Sequence, residues 1–328
     1  MSSSTKKSQH RSAIASPARA LILAAALALL MSGRSSIAAA GELPESGSRS
    51  YPLSAEPEKK PQADKNPSDD ASVEKAERST EATGASDTAT IDATAAKVLD
   101  AYVEAIGGKK AWAKINNRRI SGIYEIASRG VQFTMTITEA RPAKRHTLFV
   151  QEVPQPPFEV GTNGKESWSK FGFQPAADQG GSENELTIEF ARFDRYVDWR
   201  TYFTKVRHAG QAEVDGKMCD KIVMTPRLGQ PETRYFDTAS HLAIKSEEIF
   251  AAGDTPQITI FQDYKEVDGI KYPHLLRVDF KGDLRHKLIN GIEHNVNLPA
   301  DEFDKPPYPD PRYPMEYQPD VDTTPATD

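Results

Sequence analysis

The sequence predicts a mainly β chain with a few helices, built on one long, strongly curved antiparallel sheet. Three observations predict it. The phrases Glu213-Val214-Asp215-Gly216-Lys217 and Glu266-Val267-Asp268-Gly269-Ile270 nearly repeat, and Asn163-Gly164 sits between Phe158-Glu159-Val160 and Ser167-Trp168. Asp-Gly and Asn-Gly between strand-forming runs favour type I′ hairpins, which need positive φ at both central residues. Next, Val131, Phe133, Met135 and Ile137 alternate with Gln132, Thr134, Thr136 and Thr138, the period of a strand with one apolar face. Finally, about eleven segments of strand length follow one another with short connections. That is near the limit for an open sheet, which should then curl or close.

The elements follow in chain order. Lys6, Lys7, Arg11 and Arg19 precede an apolar run from Ala20 to Met31, and Ala38-Ala39-Ala40 offers small residues for cleavage. A run of about twelve residues suits a signal peptide and is short for a bilayer span. Residues 1–40 are therefore expected to be a signal peptide and the product periplasmic or secreted, an uncleaved anchor being the alternative. Residues 41–90 are rich in Glu, Ser, Ala, Pro, Asp and Lys, with Tyr51 the only aromatic. Such a segment buries too little apolar surface to offset its ordering entropy, so it is expected to be a disordered acidic tether. Residues 91–303 form the expected domain. Residues 304–328 are expected to be a disordered Pro-rich tail, because six prolines between Pro306 and Pro319 deny it a helix or a sheet interior.

The domain opens with a helix: Asp92 is a candidate N-cap, and Val98, Leu99, Tyr102, Val103 and Ile106 follow at helical spacing. Gly107-Gly108 should end it, and Lys109 to Ile115 should form a short turn carrying Trp112. The alternating strand at 131–138 should pair with Ile120, Gly122, Tyr124 and Ile126 across a turn near Ser128-Arg129-Gly130. Arg145 to Gln151 continues the meander. In the middle, Ser182 and Glu185 fit a capping box, and Leu186, Phe190, Phe193 and Val197 mark one helical face. A second short helix is expected from Asp198. Strands are expected again at 206–214, 217–225, 231–237, 241–251, 256–266, 270–281 and 286–296.

Composition narrows the function. Residues 1–40 carry five Lys or Arg and no acid, so removing them takes the net charge from −6 to −11. An acidic chain repels phosphate backbones and anionic surfaces at long range, which argues against nucleic acid as a partner. The single cysteine, Cys219, lies in a predicted strand and is expected to be a small buried hydrophobe rather than a reactive thiol. The sequence holds no Gly-rich phosphate loop, nucleophile elbow or His-Glu-x-x-His. His286 and His294 share one strand region but are too far apart to chelate one ion, and Lys144-Arg145-His146 is expected to be a solvated basic cluster. No catalytic residue, metal site or cofactor is expected.

The chain resembles the bacterial lipoprotein-carrier superfamily with the LolA/LolB-like fold, especially its outer-membrane lipoprotein-sorting branch. The resemblance runs from about Ala95 to Phe303. Its residues are Val98 to Gly108, Gly164 to Trp168, Glu213 to Cys219 and on to Pro226, Pro231 to Asp237, Phe261 to Pro273, and Glu293 to Val296. It implies an incomplete β-barrel, helices over the opening, and an apolar concave face that holds acyl chains. Tyr124, Phe133, Met135, Ile137, Trp168, Ile222, Met224, Ile258, Ile260, Val278 and Phe280, with Phe190 and Phe193 from the helical cover, are then candidates to line a ligand cavity. Aromatic and Met-rich linings suit flexible apolar chains. The same residues would equally serve as a packed core against the helices. Two functions follow. One is an exported carrier of a lipid, a lipoprotein acyl group or another apolar ligand. The other is a tethered interaction domain of the cell envelope with a filled core and a protein partner. The acidic tether and the absence of a lipid-attachment cysteine set this chain apart from the well-studied carriers.

Overall fold

A computed structural model describes residues 90–151, 156–250 and 253–318. The expected signal peptide and all but the last residue of the expected tether lie outside the described residues. Within them, fourteen strands form one sheet, three more than the sequence suggested. The strands are β1 (Thr90–Ile91), β2 (Asn117–Ile126), β3 (Val131–Ala140), β4 (Lys144–Val150), β5 (Phe158–Thr162), β6 (Ser167–Phe171) and β7 (Ala177–Asp178), then β8 (Phe203–Val214), β9 (Lys217–Pro226), β10 (Glu232–Asp237), β11 (Ala243–Glu248), β12 (Gln257–Val267), β13 (Ile270–Phe280) and β14 (Asp283–His294). The helices are α1 (Ala93–Ala105), α2 (Gly108–Trp112), α3 (Gly181–Phe190) and α4 (Trp199–Tyr202). None of them is long and apolar enough to cross a membrane.

The sheet is two meanders zipped together. The order runs β1-β8-β9-β10-β11-β12-β13-β14-β2-β3-β4-β5-β6-β7, so the last strand of the second meander pairs antiparallel with the first of the other. β1 joins β8 in parallel, and β1 and β7 stay unpaired with each other, leaving an open, curved half-barrel.

Local chemistry explains the connections. Asp215-Gly216 and Asp268-Gly269 hold positive φ at both residues (49° and 74°, 49° and 80°), as the hairpin phrases require. Lys281-Gly282 makes a third such turn, at 55° and 83°. Asn163-Gly164 differs. Only Gly164 has positive φ there, because the Asn163 side chain accepts from the Lys165 and Glu166 amides and sets an Asx turn within a longer loop. Where β2 meets β14, a bulge lies at Ile289 to Gly291, and a Cβ on Gly122 would run into the Leu288 carbonyl. Glycine lets the two meanders approach at that point.

α1 is capped as expected: the Asp92 carboxylate accepts from the Thr94 and Ala95 amides, and Gly107 ends it at φ 117°. Leu99, Val103 and Ile106 then pack with Ile222, Met224, Phe236 and Ile270. This defines the inner face of the sheet. The capping box at Ser182 does not form. α3 has its N-cap two residues earlier, at Gly180, with no side-chain cap, and Asn184 of its first turn bonds Ser167 and the Lys165 carbonyl. α3 therefore leans from β6 toward the β9–β10 turn, where Leu186 lies against Gly229.

The tail departs from expectation over 304–318. Proline-rich sequence rules out regular ladders, but side chains anchor it: Asp310 is wholly buried and Gln318 nearly so. Gln318 bonds Asp310 through its amide N–H and both Asp310 and Tyr313 through their carbonyls. Phe173 stacks on Tyr317.

Candidate functional site

Strand register divides the predicted site residues between the two faces. On β2 and β3, Tyr124 pairs with Phe133, Gly122 with Met135, and Ile120 with Ile137. Ile120 belongs to the cluster under α1, so this whole register faces inward. The same parity carries across β4 to β6, where Met135 faces Phe149, Phe149 faces Phe158, and Phe158 faces Phe171. The result is an aromatic floor. Its ring centroids step 4.8 Å from Tyr124 to Phe149, 5.8 Å to Phe158 and 4.9 Å to Phe171, with Phe133 6.4 Å from Phe149. Phe149, Phe158 and Phe171 were not among the sequence candidates. The parity of residues 145–151 carries a signal for Phe149, but only the pairing register shows that all three continue the Tyr124 row.

The inner face has two apolar halves. One is a filled core: Ile222, Met224 and Phe193 pack with α1, α2 and Trp199. The other consists of Tyr124, Ile126, Phe133, Met135, Phe149 and Phe158, flanked by Val131, Ile137, Val160 and Phe171, and takes no residue from any helix. Phe190 ends α3 against the exposed Phe250. Val278 and Phe280 share the inward register with Arg285 and Asp283, and Phe280 lies 5.2 Å from the Arg285 guanidinium.

Three candidates face outward. Ile258 and Ile260 pair with Glu247 and Lys245 on one side and with Asp279 and Arg277 on the other, the parity opposite to Val278. Their apolar character fits a half-buried outer surface rather than the concavity. Trp168 pairs with Gly161, also on the outer face. It is buried there because its indole N–H donates to the Phe303 carbonyl of the tail segment.

Charge inside the half-barrel was not legible as such in the sequence. Arg118 and Arg145 both pair with the buried Glu139. Burial pushes Glu139 up, but the two guanidiniums outweigh it and hold the carboxyl at about 2. The stability it contributes is complete above its unfolded value near 4.5 and is lost as pH falls toward 2. Loss of that stabilisation is worth on the order of 3 kcal/mol. Urea midpoints between pH 6 and pH 2 are expected to fall less steeply in Glu139→Gln than in the parent. Arg118 also stacks 5.0 to 5.5 Å from Phe193, Tyr272 and Trp112.

A second group joins α3 to the sheet. Arg195 pairs with Glu189 and Glu232 at 3.2 Å, and Arg234 with Glu232 at 3.3 Å and Glu248 at 3.5 Å. Three converging carboxylates would suit proton transfer, but each faces a guanidinium here, the arrangement of a structural clamp. Lys144-Arg145-His146 is split by strand alternation: Arg145 turns in to Glu139, while His146 turns out to Glu159 and Glu302. His294 bonds Tyr272 and Asp268, and His286 bonds Glu125. Cys219 is wholly buried on the outer face with Tyr235 and Ile244, and burial pushes its thiol up.

An open half-barrel with helices across part of its inner face is the fold that the LolA/LolB-like resemblance implies. The chain is similar to a solved DUF1329 family protein from Desulfovibrio piger, with 13% identity over 64% of this chain and 97% of that one and a TM-score of 0.46. It is similar to a LolA superfamily protein from Nitrosomonas europaea, with 12% identity, the same coverage of 64% and 97%, and a TM-score of 0.46. A Vibrio parahaemolyticus domain assigned to outer membrane lipoprotein sorting gives 14% identity, 64% and 97% coverage, and a TM-score of 0.44. No protein-family model matches the chain, and no curated protein matches it.

Proposed function

We propose that this chain is an exported carrier that holds a lipid, a lipoprotein acyl group or another apolar ligand non-covalently on the concave face of the half-barrel. The observation that carries the proposal is the row of rings from Tyr124 through Phe149 and Phe158 to Phe171 on the inward face, an apolar cluster that no described helix residue joins. Such a surface binds by burying chain methylenes, at about 0.8 kcal/mol each, and needs no cofactor. Export rests on the basic, apolar and small-residue pattern of residues 1–40.

The test is native mass spectrometry of protein purified without detergent, followed by titration with a fluorescent long-chain probe. Bound lipid-sized mass, or saturable probe binding weakened several-fold by Phe149→Ala, is the expected result. A ligand-free protein that binds no probe overturns the proposal. Retention of a protein partner by the same preparation would then favour the tethered interaction domain.

A further inference from the structure

The aromatic floor has a cationic border. Register places Lys287 of β14 directly beside Tyr124 on one side and Leu276 on the other. Its neighbour two residues away, Arg285, lies between Ile126 and Val278 on the same inward face. Leu288 and His286 alternate outward, Leu288 being exposed and His286 bonded to Glu125. So Lys287 is a half-buried ammonium on the concave side, next to the first ring of the row.

The inner cations differ in one respect. Arg118, Arg145, Arg195, Arg234 and Arg285 each pair with a carboxylate. Lys287 makes no ion pair or hydrogen bond among the described residues, and only Glu248 attracts it from a distance. Burial, with repulsion from Arg145 and Arg285, pulls its ammonium below the ordinary lysine value. A half-buried cation without a partner, beside other cations, is costly unless something anionic meets it. Tyr124, whose hydroxyl lies by the Arg285 guanidinium, adds a polar group at the same border.

We infer that the concave site takes an amphiphile with one apolar chain and an anionic head, the chain lying on the Tyr124–Phe149–Phe158 rings and the carboxylate or phosphate of the head meeting Lys287. Both head chemistries fit one lysine, which acts as a point charge rather than as a geometric fork. Charge complementarity selects the ligand, and the floor supplies the affinity. The acidic balance of the chain repels such ligands at long range, so the attraction is confined to the site.

The inference rests on the carrier reading, and the experiment separates their failures. Palmitate, a single-chain lysophosphatidic acid and methyl palmitate are titrated into the parent, Lys287→Met and Lys287→Arg. In the parent, at least one anionic ligand is expected to bind about tenfold tighter than the ester. Lys287→Met should abolish that preference, bringing the anionic ligands to the affinity of the ester in the same variant, and Lys287→Arg should keep most of it. The two anionic arms tell a carboxylate head from a phosphate head. Equal binding of all three ligands in the parent, or a preference unchanged in Lys287→Met, overturns the head assignment and leaves the carrier intact. No binding of any ligand overturns both.

Discussion

Arg234→Met is expected to lower stability by about 3–5 kcal/mol at neutral pH, with a smaller loss near pH 5. Arg234 stands at the centre of the inner clamp. Its guanidinium lies 3.5 Å over the Tyr196 ring and faces Glu232 and Glu248, and its side chain is 8% exposed. Burial opposes its charge, but Tyr196 and the two acids outweigh that and hold it above the ordinary arginine value. Methionine fills similar space and removes the charge. Glu248, already pushed up by burial and by the nearby Glu232, would then lack its main counter-charge. Its folded pKa would rise further above the unfolded value. The penalty is therefore present at high pH and relieved once the carboxyl takes a proton. Urea unfolding at pH 7.5 and pH 5 measures this, and Glu248→Gln in the Arg234→Met background should recover part of the loss. A loss independent of pH and unaffected by Glu248→Gln would assign Arg234 to packing on Tyr196 instead.

The clamp also shows where sequence reading stops. Strand positions from 203 to 294 were legible within a few residues, because Asp-Gly turns and period-two alternation are local and set by one chain segment. Asp92 as a cap, the glycine stop after α1 and the burial of Cys219 were legible for the same reason. What was not legible depends on pairing. Trp168, Ile258 and Ile260 look like any other inward apolar residue until register assigns their parity. Glu139, Glu232 and Arg234 look like solvated charges until strand pairing buries each beside its own counter-charges, Glu139 with Arg118 and Arg145, and Glu232 and Arg234 with Arg195 and Glu248. Phe149 and Phe158 join the Tyr124 row only through two intervening strand pairings. Proline content correctly excluded α-helix and sheet from 304–318, where only a 3-10 turn forms at Met315–Tyr317, but it does not exclude anchoring by buried side chains.

That anchoring leads to the second large effect. Lys170→Met is expected to cost about 3–5 kcal/mol and to loosen the tail segment. Lys170 is 1% exposed; its ammonium sits 2.5 Å from Asp310, 3.4 Å from Glu159 and 4.5 Å from the Tyr313 ring. Glu159 and Asp310 are both buried, and Arg312 would remain their nearest cation. One guanidinium, itself 40% exposed, with only the His146 imidazole beside Glu159 to help, would then have to balance two buried carboxylates. Asp310 is pushed up by burial, yet Arg312 and Lys170 bring it down to about 2. Its contribution is complete above the ordinary value of 3.8 and is lost as pH falls toward 2. Without Lys170 that loss should begin at higher pH. The cheapest relief for the variant is to lift Asp310 back into water, because the tail has no ladder bonds to break while β5 and β6 do. Trypsin should therefore cut after Arg312 faster in Lys170→Met than in the parent, at a urea concentration where both sheets remain folded. Equal cleavage alongside the predicted loss of stability would mean that the tail stays seated through Arg312 and Trp168, and that the cost falls on Glu159 within the sheet.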